Sequence, residues 1–398
     1  STAAAPAGAQ KAKGAAARYA QLDAYVAAAM KDWKVPGIAL AIVKDDSIVY
    51  AKGYGTRTIG KQELVDANTI FAIGSASKAF TAALVAMAVD EGKMKFDEMV
   101  TAYLPGFQLY DGYAGRDLTI RDALSHRSGL SRGDLMWYAG EFSRDEILRR
   151  VRYLKPSWGF RGLFGYQNIM FLAAGESVAG VEKRSWDDLI KSRIFTPLGM
   201  SSSSTSVREL AGKDNVATPH GEVNDTVVAI PWKNIDNIAP AGSINSNVRD
   251  MAQWLRLQLG RGKHGTQQLI TTGNHGEMWI SNTTIRMEGP LAHYMAPGGN
   301  LSAYGMGWFL QDFSGRLAVH HGGNIDGMSA MVAMLPDEKL GVVILTNKNG
   351  TPAPGAIFPY VFDLYTRDTP RDWNAEYHKM IDPVMKMAAF TLSAIGLN

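Results

Sequence analysis

Apolar and polar positions alternate with two different periods along this chain, and the period changes with position. Over residues 18–33, Tyr19, Leu22, Val26, Ala29 and Met30 recur every three to four positions, which predicts an amphipathic helix closed by Pro36-Gly37. Ile38 to Val43 and Ser47 to Ala51 are short runs rich in β-branched residues on either side of Lys44-Asp45-Asp46, the pattern of a hairpin. Gly53, Gly55 and Gly60 then mark a loop, Phe71 to Gly74 lead into Ser75, and Ser77 to Glu91 read as an Ala-rich helix closed by Gly92. Helical stretches dominate the middle, at Thr119 to Ser125, Arg144 to Tyr153, Gln167 to Ala179, Trp186 to Ile194 and residues 247–260. Strand patterns return at Met306 to Gln311, Leu317 to His321, Ser329 to Leu335 and Leu340 to Thr346, followed by a last helix over Ala356 to Tyr365.

Strands at both ends and helices between them predict an α/β (α+β) architecture. One antiparallel sheet forms from the two ends of the chain, and an all-helical domain is inserted into it. On this reading residues 18–75 and 240–370 form the sheet domain and 76–239 the inserted domain. Residues 1–17 are a disordered or partly ordered tail, on the plainest reading a frayed tail, and 371–398 a C-terminal extension. An active site would lie in the cleft between the two parts. The segment Val384 to Asn398 carries Met385, Ala388, Ala389, Leu392 and Ile395 near helical spacing. It is expected to dock on its own subunit or to face a partner, including a second copy of the chain.

Composition narrows the chemistry. The chain has 398 residues, of which 46% are hydrophobic, ample for a large core. The balance of 41 basic and 38 acidic residues gives a formal charge of +3, too small to suggest a nucleic-acid surface. There is no cysteine, which removes disulfides, thiolate metal sites and cysteine nucleophiles. No apolar run reaches the roughly 18 residues of a transmembrane helix. The eight histidines lack metal-ligand spacing, so neither metal nor other cofactor is expected. The Ala-rich start, with Lys11 and Lys13, reads as a mature end left after signal removal or as an imposed boundary. The first of these implies a periplasmic or secreted protein.

Three constellations carry candidate chemistry. Ser75-Ala-Ser-Lys78 places a hydroxyl and an amine on one face of a helix start, where backbone N–H groups can hold an oxyanion and a buried Lys of depressed pKa can take the serine proton. Alone, this spacing is more often an N-cap followed by a surface Lys. Tyr166-Gln-Asn168 offers a phenol as phenolate or proton relay; if the segment is extended, Asn168 points the same way. Alone, a Tyr near Phe160 and Phe164 is usually core. His321-Gly-Gly323-Asn324 would let a substrate backbone approach an edge strand, with the Asn324 N–H as a second oxyanion donor. His320 is adjacent, so a one-residue slip would exchange the two imidazoles.

These constellations, about 90 and then 155 residues apart, resemble in order and spacing the penicillin-recognising serine hydrolases, above all the class C β-lactamase-like branch with its esterases and D-amino-acid peptidases. Leu124-Ser-His-Arg-Ser-Gly-Leu130, Phe195-Thr-Pro-Leu-Gly-Met200, Ala241-Gly-Ser-Ile-Asn-Ser246 and Tyr304-Gly-Met-Gly-Trp308 also resemble that family, over roughly residues 20–370. The resemblance implies Ser75 as nucleophile, Lys78 as first base, Tyr166 as second base and acid, and Asn168 as amide ligand. Substrate would bind along His321, Gly323 and Asn324. His321 stands where β-lactamases carry the Lys of Lys-Thr-Gly. An imidazole of ordinary pKa is mostly neutral at pH 7, which favours esters, amides or peptides over carboxylate-bearing β-lactams. A β-lactamase, a D-Ala-D-Ala carboxypeptidase and a non-catalytic scaffold of the same fold are the alternatives. His126 is expected to be structural, Asp326 a solvated loop acid, and Trp137, Tyr138, Trp158 and Phe160 either pocket wall or loop packing.

Overall fold

The computed structural model describes residues 7–130, 132–138, 140–288 and 297–382. Val384 to Asn398 lies outside them. The first element, α1 (Ala7–Asp32), begins eleven residues before the expected start at residue 18, inside the stretch read as a frayed tail. Alanine needs no apolar stripe to be helical, and only the part with the stripe was legible as a helix. Leu22, Val26 and Ala29 are fully buried from it. Lys34, at φ 51°, and Pro36 end the turn that follows.

Strands β1 (Gly37–Lys44) and β2 (Ser47–Gly55) form the expected hairpin. Asp45 and Asp46 take φ of 49° and 60°, the paired left-handed conformations of a two-residue turn. The remaining sheet strands are β3 (Thr283–Ile285), β4 (Ser302–Tyr304), β5 (Phe309–Phe313), β6 (Arg316–Ile325), β7 (Met328–Leu335) and β8 (Leu340–Thr346). All eight belong to one sheet in the order β2-β1-β8-β7-β6-β5-β4-β3, each paired neighbour antiparallel. The two chain ends meet where β1 pairs β8, from Ile38 opposite Thr346 to Lys44 opposite Leu340.

Both faces of this sheet are covered, so β1 reads as a continuous apolar run. Ala39, Ala41 and Val43 enter one core with α2 (Ser77–Asp90), α3 (Asn168–Glu182) and α4 (Val248–Leu259). Ile38, Leu40 and Ile42 enter the other, with α1, α5 (Ala353–Thr366) and Trp373 and Tyr377 of the helical residues 373–382. Helix α2 is buried almost all round, as its uniformly apolar sequence requires. Phe80 stacks on Trp254 at 3.8 Å. The catalytic candidates therefore sit at the end of a helix fixed on every side.

Two expected strands differ in extent. The Met306 to Gln311 run begins later, at Phe309, because Gly305 and Gly307 form a turn packed on α2; a Cβ at Gly307 would lie 3.0 Å from the Lys78 carbonyl oxygen. The Leu317 to His321 run is longer and continues through both glycines to Ile325, carried by its ladder with β7.

Candidate active site

Gly74–Ala76 form a single 3₁₀ turn leading into α2. Gly74 sits at φ 52°, a conformation glycine adopts freely. This turn lies against β6: a Cβ on Gly74 would be 2.8 Å from Asn324 N, and one on Gly323 would be 1.9 Å from Ile73 O and 3.0 Å from Ser75 N. Only bare backbone fits on either side, and the contact sets the backbone of Gly323 and Asn324 against that of Ile73 to Ser75. Strand β5 pairs β6 only as far as Phe309 opposite His320. The edge from His321 to Ile325 on that side therefore has no ladder partner among the described residues.

Lys78 is fully buried, and its Nζ lies 3.0 Å from Ser75 Oγ, 2.7 Å from Asn168 Oδ1 and 2.8 Å from the Ala241 carbonyl oxygen. Burial holds its pKa well below the usual lysine range; the Arg132 charge lowers it further, and Asp134 partly opposes this. Tyr166 is half-buried and hydrogen-bonded to Ser75; burial raises its phenol pKa more than that bond and Arg132 lower it. Gln167 is extended and caps α3 through Ile169 N, so Tyr166 before it and Asn168 after it both reach Lys78. Ser77, the neighbouring hydroxyl, donates to Gly74 O and accepts from Ile244 N, which occupies it structurally.

His321 faces Tyr166, and His320 faces the opposite side, stacked near Phe358. The His321 ring is fully used. Nδ1 lies 2.6 Å from the Gly322 carbonyl oxygen, so it carries the proton, and Nε2 accepts from the Tyr304 hydroxyl at 2.9 Å. Burial, together with the nearby Lys78, pushes its pKa down to about 3. The partial charge expected of an ordinary imidazole is absent, and so is any free ring donor.

Several residues that sequence reasoning did not single out complete the site. Asp134 accepts from Asn168 Nδ2 at 2.9 Å and Trp137 Nε1 at 2.8 Å, and pairs with Arg132. Arg132 lies over the Tyr166 ring, 5.0 Å from its centroid. Their loop shows no periodicity, and the only signal was its position just after the Ser-His-Arg-Ser-Gly stretch. His126, at φ 58°, accepts from Gln167 N through Nδ1 and packs 4.3 Å from the Tyr166 ring, so its structural part is to seat the Tyr166–Asn168 segment. Asp326 is not merely solvated: both its oxygens take the Tyr138 hydroxyl, at 2.9 and 2.7 Å. Trp137 lines the site, whereas Trp158 packs against Gly165.

Ser75 stands between two cavities. One, of about 380 Å³, is lined by Phe164, Tyr166, Phe309 and His321, and continues past the open edge of β6 to Met331, Phe358 and Tyr377. The other, of about 50 Å³, is lined by Trp137, Asn168, Ile235 and Ala241. Among the described residues, no group of three or more His, Asp or Glu side chains could hold a metal ion, and no helix is long and apolar enough to cross a membrane.

A Ser–Lys–Tyr constellation around a buried Lys, beside an antiparallel sheet flanked by helices, is the architecture of the β-lactamase/transpeptidase-like serine hydrolases. The signature of the β-lactamase family matches residues 22–364, and the chain belongs to that family; it is a serine hydrolase. It is 30% identical to an unguisins hydrolase of Aspergillus violaceofuscus over 92% of this chain and 68% of that one. A second unguisins hydrolase, of Aspergillus campestris, is 29% identical over 80% of this chain and 59% of its own length. Among solved structures, the octameric penicillin-binding protein homologue from Pyrococcus abyssi superposes with a TM-score of 0.75 at 25% identity, covering 87% of this chain and 77% of that one.

Proposed function

We propose that the protein hydrolyses ester, amide or peptide bonds through an acyl-enzyme on Ser75. The observation that carries this reading is the set of contacts around Lys78 Nζ. Two of its neighbours, Asn168 Oδ1 and Ala241 O, can only accept hydrogen bonds. The third neighbour is the Ser75 hydroxyl, 3.0 Å away; once Lys78 is neutral, its two hydrogens stay on Asn168 and Ala241 and its lone pair is left for the Ser75 proton. Lys78 is then the general base for acylation. The Tyr166 phenol is hydrogen-bonded to Ser75, burial keeps it protonated, and it is therefore set to act as the acid toward the leaving group. The N–H groups of Ser75 and Asn324 would hold the oxyanion, a contribution of about 3 kcal/mol for each well-placed donor. Deacylation reverses the relay, with water in place of the leaving group.

His321 supports uncharged groups at the position where a β-lactam carboxylate would meet the family's lysine, since the imidazole is neutral with both nitrogens engaged. The test is incubation with a fluorophosphonate and with a panel of p-nitrophenyl esters, amides and nitrocefin, followed by intact-mass measurement. Wild type should gain one adduct at Ser75 and turn over neutral esters or amides faster than nitrocefin. Ser75→Ala should lose both adduct and turnover, and an adduct on another serine would end the assignment.

A further inference from the structure

The site has lost the family's cation on the substrate strand, and a different cation reaches the cleft from the loop between residues 130 and 135. Arg132 lines both cavities beside Ser75, together with Asn324. Its guanidinium is held on two sides. Its Cζ lies over the Tyr166 ring, 5.0 Å from the centroid, and Nε pairs with Asp134 Oδ2. Asp134 is itself fixed, since its other oxygen takes Trp137 Nε1 and Asn168 Nδ2. The two terminal nitrogens of Arg132 have no hydrogen-bond partner among the described residues, and its side chain is 60% exposed. An arginine that reaches an acid in its own loop is ordinary. One whose donor fork is left open beside a nucleophile, with its charge over an aromatic ring, presents the paired donors that a carboxylate takes.

The other charges around it do not cancel the fork. Asp134 is satisfied by three donors. Asp326 is engaged by the Tyr138 hydroxyl, over whose ring the Lys233 ammonium lies at 4.3 Å. Lys78 is uncharged in the working state. Arg132 is ion-paired through Nε alone, so its two terminal nitrogens are left as charged donors beside Ser75, where a single anionic group on the substrate would meet them.

We propose that Arg132 binds a carboxylate carried a short spacer away from the scissile carbonyl, so that the preferred substrates are acidic esters or peptides. This rests on the reading of Ser75 as the nucleophile. The first measurement is kcat/KM for 4-nitrophenyl hydrogen glutarate and for 4-nitrophenyl valerate, with the succinate and adipate half-esters to vary the spacer, in wild type, Arg132→Gln and Arg132→Lys. The glutarate-to-valerate ratio should fall about 30-fold or more in Arg132→Gln and less in Arg132→Lys, which keeps the charge but not the fork. Equal losses on both esters would overturn the proposal and leave Arg132 as electrostatic support for Tyr166 and Lys78. The second measurement needs no catalysis: monomethyl glutarate should raise the melting temperature of Ser75→Ala, dimethyl glutarate should not, and the shift should vanish in Ser75→Ala/Arg132→Gln. If the shift appears while wild type shows no Ser75 adduct, the nucleophile reading fails and the anion site stands. If the adduct forms but neither ratio nor shift responds to Arg132, the anion site fails and the hydrolase reading stands.

Discussion

At the scale of single residues, the site is built by withholding charge. Lys78 lies in a fully buried position with a depressed pKa, Tyr166 has a raised one, and the imidazoles of His320 and His321 are pushed down to about 4 and about 3. On the proposed mechanism, only the neutral form of Lys78 can accept the serine proton. Activity must therefore rise with pH through the depressed pKa of Lys78, with no histidine limb near pH 6.5 and no loss to Tyr166 ionisation below about pH 10. The check is the pH profile of kcat/KM on a neutral ester. An acid limb that disappears in His321→Gln would show that the imidazole, not the amine, titrates. Lys78→Ala and Tyr166→Phe should each cost about 100-fold or more, and the double mutant much less than the product, because both serve one proton path. Ser75, Lys78, Tyr166 and Asn168 were legible because their chemistry demands those residue types in a recognisable order. Arg132 and Asp134 were not, because an Arg and an Asp in a loop look like any solvated pair until the fold sets them against Tyr166 and Asn168.

At the scale of elements, the proposed chemistry depends on one strand touching one turn. Gly323 of β6 and Gly74 of the turn before α2 approach so closely that a methyl group at Gly323 would overlap Ile73 O at 1.9 Å. Gly323→Ala should push β6 away from Ser75, separate the two oxyanion donors and lower kcat by about 100-fold or more, with a stability loss of about 1–3 kcal/mol from overpacking. Gly322→Ala is the comparison, since its Cβ would meet only Met331 Cε at 3.5 Å and Ala330 O at 3.6 Å. Its loss should be much smaller, measured as kcat on the same neutral ester alongside the melting temperature. Equal losses would show that the glycines matter for strand flexibility rather than for the contact with the turn. The sequence pattern stopped this strand at His321, because glycine has no β-propensity of its own and only the ladder with β7 extends it. Strands β1 and β8 were legible for the opposite reason: they are near-continuous apolar runs, rich in Ile, Val and Leu, buried against a helical layer on each side.

At the scale of the whole molecule, covering both faces of an eight-stranded sheet buries polar groups along with the core. His126, His275, His320 and His321 are at most 5% exposed. Burial takes His275 and His321 to about 3, His320 to about 4, and His126 well below its ordinary value. In the unfolded chain each returns to about 6.5. Below that pH the unfolded chain binds protons that the native one refuses, so unfolding becomes easier as pH falls, by up to about 1.4 kcal/mol per pH unit for each histidine fully engaged. Glu176 and Asp250 work the other way, because burial raises their pKa and the native state gains by binding their protons. Their compensation builds as pH falls through their raised native values and is complete near their unfolded values, about 4. The urea midpoint should therefore fall steeply between pH 6.5 and 5, at a nearly constant denaturant slope. His275 offers the cleanest test, since it lies outside the cleft, bonded to Gln258 Oε1 at 3.0 Å and edge-on to Trp279. His275→Gln should lower stability at pH 7.5 yet flatten the dependence on pH by one histidine's share, leaving turnover on a neutral ester to report that the site is intact. Midpoints that stay level from pH 7.5 to 5 in wild type, or a slope that His275→Gln leaves unchanged, would mean that these imidazoles are hydrated in solution and that the core around them is looser than its packing implies.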